Sequence, residues 1–264
     1  MKTSTKKKAP SRIASSTKAP RIVADARVVA DTKQISAKLE APKMIKGETT
    51  EQRRDRLQHI YKGLHKLYPD ARCELDFTNA YELLTATILS AQCTDVRVNI
   101  VMKDLKVHYP NVKALAKADP NDLEEVIKST GFFRQKAKSL LSMANDVVEK
   151  FGAKIPETME QLTTLRGVGR KTANVVMGNA FGVAEGIAVD THVTRLSHRM
   201  GLSKSTSAEE IEQDLMSLTP KNEWVEISHV LILHGRRVCE ARKPKCSECS
   251  VADLCPSKGM PGSV

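Results

Sequence analysis

Four of the six cysteines in this chain, Cys239, Cys246, Cys249 and Cys255, fall within 17 residues, separated by six, two and five positions. Thiols grouped in this way are metal ligands. Four thiolates suit either a tetrahedral zinc ion or a cubane iron–sulfur cluster, and the spacing by itself leaves both open. No ligand position is left for a reacting water, so the site is expected to organise a loop and to do no chemistry of its own. Arg236, Arg237, Arg242, Lys243 and Lys245 surround the ligands. They would offset the charge of bound thiolates and could face a polyanion, or could simply be a solvated loop. Cys73 and Cys93 carry no partner motif and read as ordinary buried thiols.

A second constellation runs from Leu165 to Asn174, where Gly167 and Gly169 flank Val168 and are followed at once by Arg170 and Lys171. Glycine allows a positive φ or a close backbone approach. A tight turn opening a helix leaves N–H groups unpaired beside the positive end of the helix dipole, where a phosphate can sit. The plain alternative is a helical corner with packing glycines. Two cations at the anion-binding end tilt the reading toward phosphate. Further on, Asp190 precedes Thr191, His192 and Val193, and an Asp followed by an apolar helix reads as its N-cap.

Composition narrows the class. Lys and Arg number 42 against 31 Asp and Glu, a formal net charge of +11, which favours nucleic acid or an acidic membrane surface as partner. No apolar run reaches the ~18 residues of a membrane span, and the Lys-rich start lacks the apolar middle of a secretory signal. The chain therefore reads as intracellular, and clustered thiols in that compartment bind metal more often than they form disulfides. Residues 1–50 hold 12 of the basic and 4 of the acidic side chains. They are expected to be a basic flexible arm, either solubilising or sliding along phosphates.

Helices must position these groups. Leu140, Ala144, Val147, Val148 and Phe151 recur at helical spacing, stopped by Gly152 and Pro156. Leu123, Val126 and Ile127 follow the start signals Pro120, Asn121 and Asp122. Tyr81 to Leu89 is apolar nearly all round, as a helix in the middle of a bundle must be. No period-two strand pairs and no solenoid repeat are present, so the fold class is all-α.

These motifs resemble a known family. The stretch from Leu165 to Ala173 is similar to the helix-hairpin-helix of DNA glycosylases of the endonuclease III superfamily, with Arg166 where that family usually has proline. Ile187 to Val193 resembles its second signature, Ser90 to Asp95 its S-A-Q-x-T-D turn, and the cysteine spacing its [4Fe-4S] loop, with Ile232 to Arg236 as lead-in helix. The resemblance covers roughly residues 51–258.

What the resemblance implies is specific. The fold would have two helical domains with a cleft between them: a six-helix domain over 73–184 carrying the hairpin, and an iron–sulfur cluster domain made of 51–72 and 185–264. Lys171 would be the nucleophile of a bifunctional DNA glycosylase and AP lyase, and Asp190 its catalytic carboxylate. Gly167, Val168, Gly169, Arg170, Gln92 and His192 would contact double-stranded DNA holding oxidised pyrimidines or abasic sites, with Arg170 the cation expected to lower the lysine's basicity. Gln92 would fill the place of the extruded base, or would be a helix-end side chain bonded to backbone. Phe132 or Phe133 would wedge the duplex, or belong to the core. Cys239, Cys246, Cys249 and Cys255 would hold the [4Fe-4S] cluster. A monomer is expected, in the nucleoid of a bacterium or the nucleus or an organelle of a eukaryote. A monofunctional glycosylase and a non-catalytic damage-binding protein of the same fold are the alternatives.

Overall fold

The structure, a computed structural model, describes residues 41–264, and the fold is all-α, with no strand among the described residues. Residues 1–40 of the expected arm lie outside the described residues. The rest of that arm is not free chain: Lys43 N–H donates to the His198 carbonyl at 3.0 Å, and Glu48 pairs with Arg56 at 2.6 Å. Thr49 then caps helix α1 (Thr50–Leu67) in a reciprocal capping box with Gln52.

Two hydrophobic cores follow from the apolar patterning. The first is built around α2 (Ala80–Leu89), in which every residue from Tyr81 to Leu89 is buried. Around it pack α3 (Asp95–His108), α4 (Val112–Ala116), α5 (Pro120–Ile127), α6 (Phe133–Phe151), α7 (Met159–Thr164) and α8 (Arg170–Val176), the last continuing into a π turn at Met177–Phe181. Helix α6 ends at Gly152, which takes the left-handed conformation at φ +59° that a C-cap needs. In α5 the cap is Asp119, whose side chain accepts from the N–H groups of Asn121 and Asp122, with Pro120 at the first helical position.

The second core joins α1 to α9 (Thr191–Arg199), α10 (Ala208–Leu218) and α11 (Trp224–Arg237). The chain thus enters this core, leaves it for the first, and returns after Ile187. Arg56 ties the entry to the return by donating to the carbonyls of Met200 and Leu254 at 2.6 and 3.2 Å. Beyond α11 the chain has only 3₁₀ turns, Cys246–Glu248 and Ala252–Leu254. No helix among the described residues is long and apolar enough to cross a membrane.

Candidate active site

The two glycines of the hairpin differ in what they do. Gly167 sits at φ +81°, and a Cβ there would lie 3.0 Å from the Cβ of Ser139 on α6, so both conformation and space demand glycine. Gly169 is the N-cap of α8 at φ −89°, with nothing within 4 Å of a Cβ position. No side chain caps α8, so the amides of its first turn have no capping partner from a side chain. Val168 is committed inside the chain: its side chain is 5 % exposed in the first core and its N–H donates to the Leu165 carbonyl.

Arg170 is not the free cation beside Lys171 that sequence suggests. Its Nε donates to Oε2 of buried Glu212 at 2.6 Å, so its charge is already paired. Lys171, the next residue, is exposed and lies on the wall of a cleft. Asp190 lines the same cleft from the other core. It caps α9, accepting from the N–H groups of His192 and Val193 at 2.8 Å each, both through Oδ1, which leaves Oδ2 out of the cap. The N-cap reading and the carboxylate-in-the-site reading are therefore compatible.

His229 lines this cleft as well, and no local signal marked it. Its Nε2 lies 3.0 Å from Asn179 Oδ1, and burial pushes its imidazole below the usual histidine range. His192 sits instead on an adjoining groove with Cys93, Thr94 and Asp95. Burial, aided by Arg195 and Arg236, pulls its pKa down against the opposing pull of Asp190. A Cβ on Gly235 of α11 would lie 3.0 Å from the His192 Cβ, so this glycine is what lets α9 and α11 approach.

The two turns proposed to open a duplex share an unusual backbone. Gln92 has φ +52° and Phe132 φ +48°, left-handed values that cost an ordinary residue energy, and both are exposed. Phe133 instead packs partly against the first core, with the Arg134 guanidinium 5.3 Å from its ring centroid. Arg236 is likewise engaged, pairing with Asp95 at 2.8 Å and with Glu74.

The four cysteines line one small cavity with Met200, His234 and Val238. Burial first, with Cys239, Cys249 and Cys246 acting in the same direction, drives the Cys255 thiol up to about 11. Four thiolates this close need positive charge among them. Some of it is the protein's own. Arg199, 2 % exposed, places Nη1 3.4 Å from Cys239 Sγ and donates to the carbonyls of Glu240 and Ala241. His234, pushed down to about 4 by burial, bridges Tyr68 Oη and Cys249 Sγ. The donor set and its cavity fit an iron–sulfur cluster.

Comparison with known proteins decides the family. Residues 85–221 match the model of the HhH-GPD superfamily base excision DNA repair proteins, and residues 239–255, from first cysteine to last, match the iron–sulfur binding domain of endonuclease III. Endonuclease III of Synechocystis is 53 % identical over 205 residues, 78 % of this chain and 94 % of that protein. The chain belongs to the endonuclease III family. Its cofactor is accordingly a [4Fe-4S] cluster. Among solved structures it is similar to a non-covalent endonuclease III–DNA complex and to a trapped endonuclease III–DNA covalent intermediate. Each has a TM-score of 0.74 and 40 % identity and covers 76 % of this chain; the shares of those chains covered are 94 % and 95 %.

Proposed function

We propose that this endonuclease III family member is a bifunctional DNA glycosylase and AP lyase of base excision repair, in which Lys171 attacks the sugar and Asp190 stabilises the departing charge. The observation that carries this reading is that Lys171 and Asp190, from different cores, line one cleft. An endonuclease III has been trapped as a covalent intermediate with DNA.

The chemistry balances on these two side chains. The neutral amine of Lys171 forms a bond to C1′ while the C1′–N bond to the base breaks, the base leaving with the electron pair and taking up a proton. Positive charge developing on the sugar faces the Asp190 carboxylate, whose Oδ2 is outside the helix cap. The C1′–O4′ bond then breaks, O4′ taking up the proton that the lysine nitrogen gives up, and an imine between Lys171 and C1′ results. The imine makes the C2′ proton acidic; its removal breaks the C3′–O bond, the phosphate leaves with that electron pair, and water releases the lysine. One lysine thus removes the base and cuts the strand.

Double-stranded DNA with an oxidised pyrimidine or an abasic site is the substrate this reading assigns, bound by a monomer inside the cell. The open face at Gly169 receives a phosphate, and Gln92 and Phe132 occupy the space of the extruded nucleotide. Cys239, Cys246, Cys249 and Cys255 hold the [4Fe-4S] cluster. When bound it supplies a structural cross-link for a loop that has only 3₁₀ turns of its own, and no step of the reaction.

Borohydride reduction on abasic duplex tests the assignment. Wild type gives a covalent adduct and Lys171→Ala gives none. Equal trapping by both proteins moves the imine to another amine and ends this reading.

A further inference from the structure

Helix α8 is only seven residues long and runs straight into a π turn, so its own hydrogen bonds give it little stiffness. Something outside it must fix its rotation, and with it the place of Lys171. Burial of Ala173 and Val176 in the first core contributes; from the opposite core His229 reaches Asn179 in the π turn, and one carboxylate reaches α8 itself. Glu212 on α10 is 3 % exposed. Its Oε2 accepts from Arg170 Nε at 2.6 Å and its Oε1 from Asn174 Nδ2 at 2.8 Å. Arg170 and Asn174 stand one residue before and three residues after Lys171. One carboxylate therefore holds the helix on both sides of the exposed lysine.

The surroundings are built to admit this carboxylate. Gly186, in the segment returning to the second core, packs so closely that a Cβ would collide with Glu212 Oε1 and lie 2.8 Å from Asn174 Nδ2. Burying a carboxylate is costly, and a buried ion pair adds little net stability over apolar packing of the same volume. What such a pair does add is a defined geometry. Its two bonds fix one rotation of α8 against α10, which an apolar contact would leave free to slide.

We propose that Glu212 is a positioning residue for the lyase reaction, setting the Lys171 amine at the cleft through Arg170 and Asn174. The inference rests on the reading of Lys171 as nucleophile. It predicts an effect on the chemical step, because displacing a reacting group by about 1 Å can cost 100-fold in rate. Glu212 faces the inner side of α8 and does not line the cleft, so DNA affinity is not expected to follow.

The test uses the full chain with its cluster, in single-turnover borohydride trapping on abasic duplex, reading rate and amplitude separately. Binding to duplex holding a tetrahydrofuran abasic analogue, which cannot form an imine, is measured alongside. Glu212→Gln and Glu212→Asp, neither of them at a residue that lines the cleft, are expected to trap about 10- to 100-fold more slowly, to full amplitude, with analogue affinity within about threefold. If Glu212→Gln comes without its visible cluster absorption, Glu212→Asp, which keeps the charge and shortens the reach, carries the test. Wild-type rates in the variants, or reduced amplitude at an unchanged rate as partial unfolding would give, overturn the inference while leaving Lys171 in its role. Trapping by Lys171→Ala as in wild type removes the nucleophile assignment and this inference together.

Discussion

The Arg199 guanidinium meets the Cys239 sulfur inside the protein, 3.4 Å apart through Nη1, where the arginine is 2 % exposed. Arg199→Met keeps the length of the side chain and removes the charge, stranding the carbonyls of Glu240 and Ala241 and leaving the thiolates without their buried cation. Breaking a buried charge interaction from one side costs about 3–5 kcal/mol. The expected outcome is protein with less iron per chain and a lower unfolding temperature, read by metal analysis and thermal melting. Full iron content in Arg199→Met would show that the cluster loop needs no such cation.

Asp190 has two jobs that one substitution separates. Asn caps a helix about as well as Asp, so Asp190→Asn keeps the bonds to the His192 and Val193 amides and changes stability by less than about 0.5 kcal/mol. It removes the negative charge facing the cleft. Base excision is expected to fall about 100-fold or more, the scale of lost general acid–base or electrostatic help. Excision at the wild-type rate would reduce Asp190 to a cap.

Much of this arrangement is legible in the sequence, and the parts that are not have a common cause. The run Tyr81–Leu89, apolar nearly all round, reads as a central helix, and the Leu140–Phe151 periodicity with Gly152 fixes where α6 stops. Local signals suffice there. Glu212 and Arg199 look like solvated charges on amphipathic helices, because the groups that bury them are about 40 residues away in the chain. Arg170 reads as a free cation for the same reason. The Gly167–Gly169 pair shows the converse limit. Both glycines look alike in the sequence, yet only Gly167 has a positive φ and a neighbour in the way.

That difference yields opposite expectations for two alanines. Gly167→Ala must adopt φ +81° and displace Ser139, at a cost of about 1–3 kcal/mol in unfolding free energy. Gly169→Ala meets no atom within 4 Å and should change stability by less than about 0.5 kcal/mol. Its methyl would nevertheless stand on the face assigned to phosphate, so DNA affinity falls and the dependence of binding on salt becomes shallower, as it does when a phosphate contact is lost. Titration of Gly169→Ala at two salt concentrations reads both. Unaltered affinity and slope would leave the hairpin as a structural corner.

Gln92 and Phe132 provide the last expectation, from strain and exposure together. Phe132 is 67 % exposed at φ +48° and Gln92 is exposed at φ +52°. A core aromatic truncated to a small residue costs about 3–5 kcal/mol, but here the aromatic buries little, and glycine relieves a left-handed conformation worth about 1 kcal/mol or more. Glycine's own entropy cost offsets part of that gain. Phe132→Gly and Gln92→Gly should therefore melt at or slightly above the wild-type temperature. If these side chains fill the gap left by an extruded nucleotide, the same variants lose lesion excision in duplex DNA while still trapping an abasic site in single-stranded DNA, where no stack has to be opened. The ratio of duplex to single-strand rates isolates that contribution from any change in Lys171 chemistry. A large drop in melting temperature with equal losses on both substrates would instead make Phe132 a packing residue and remove it from the duplex-opening step.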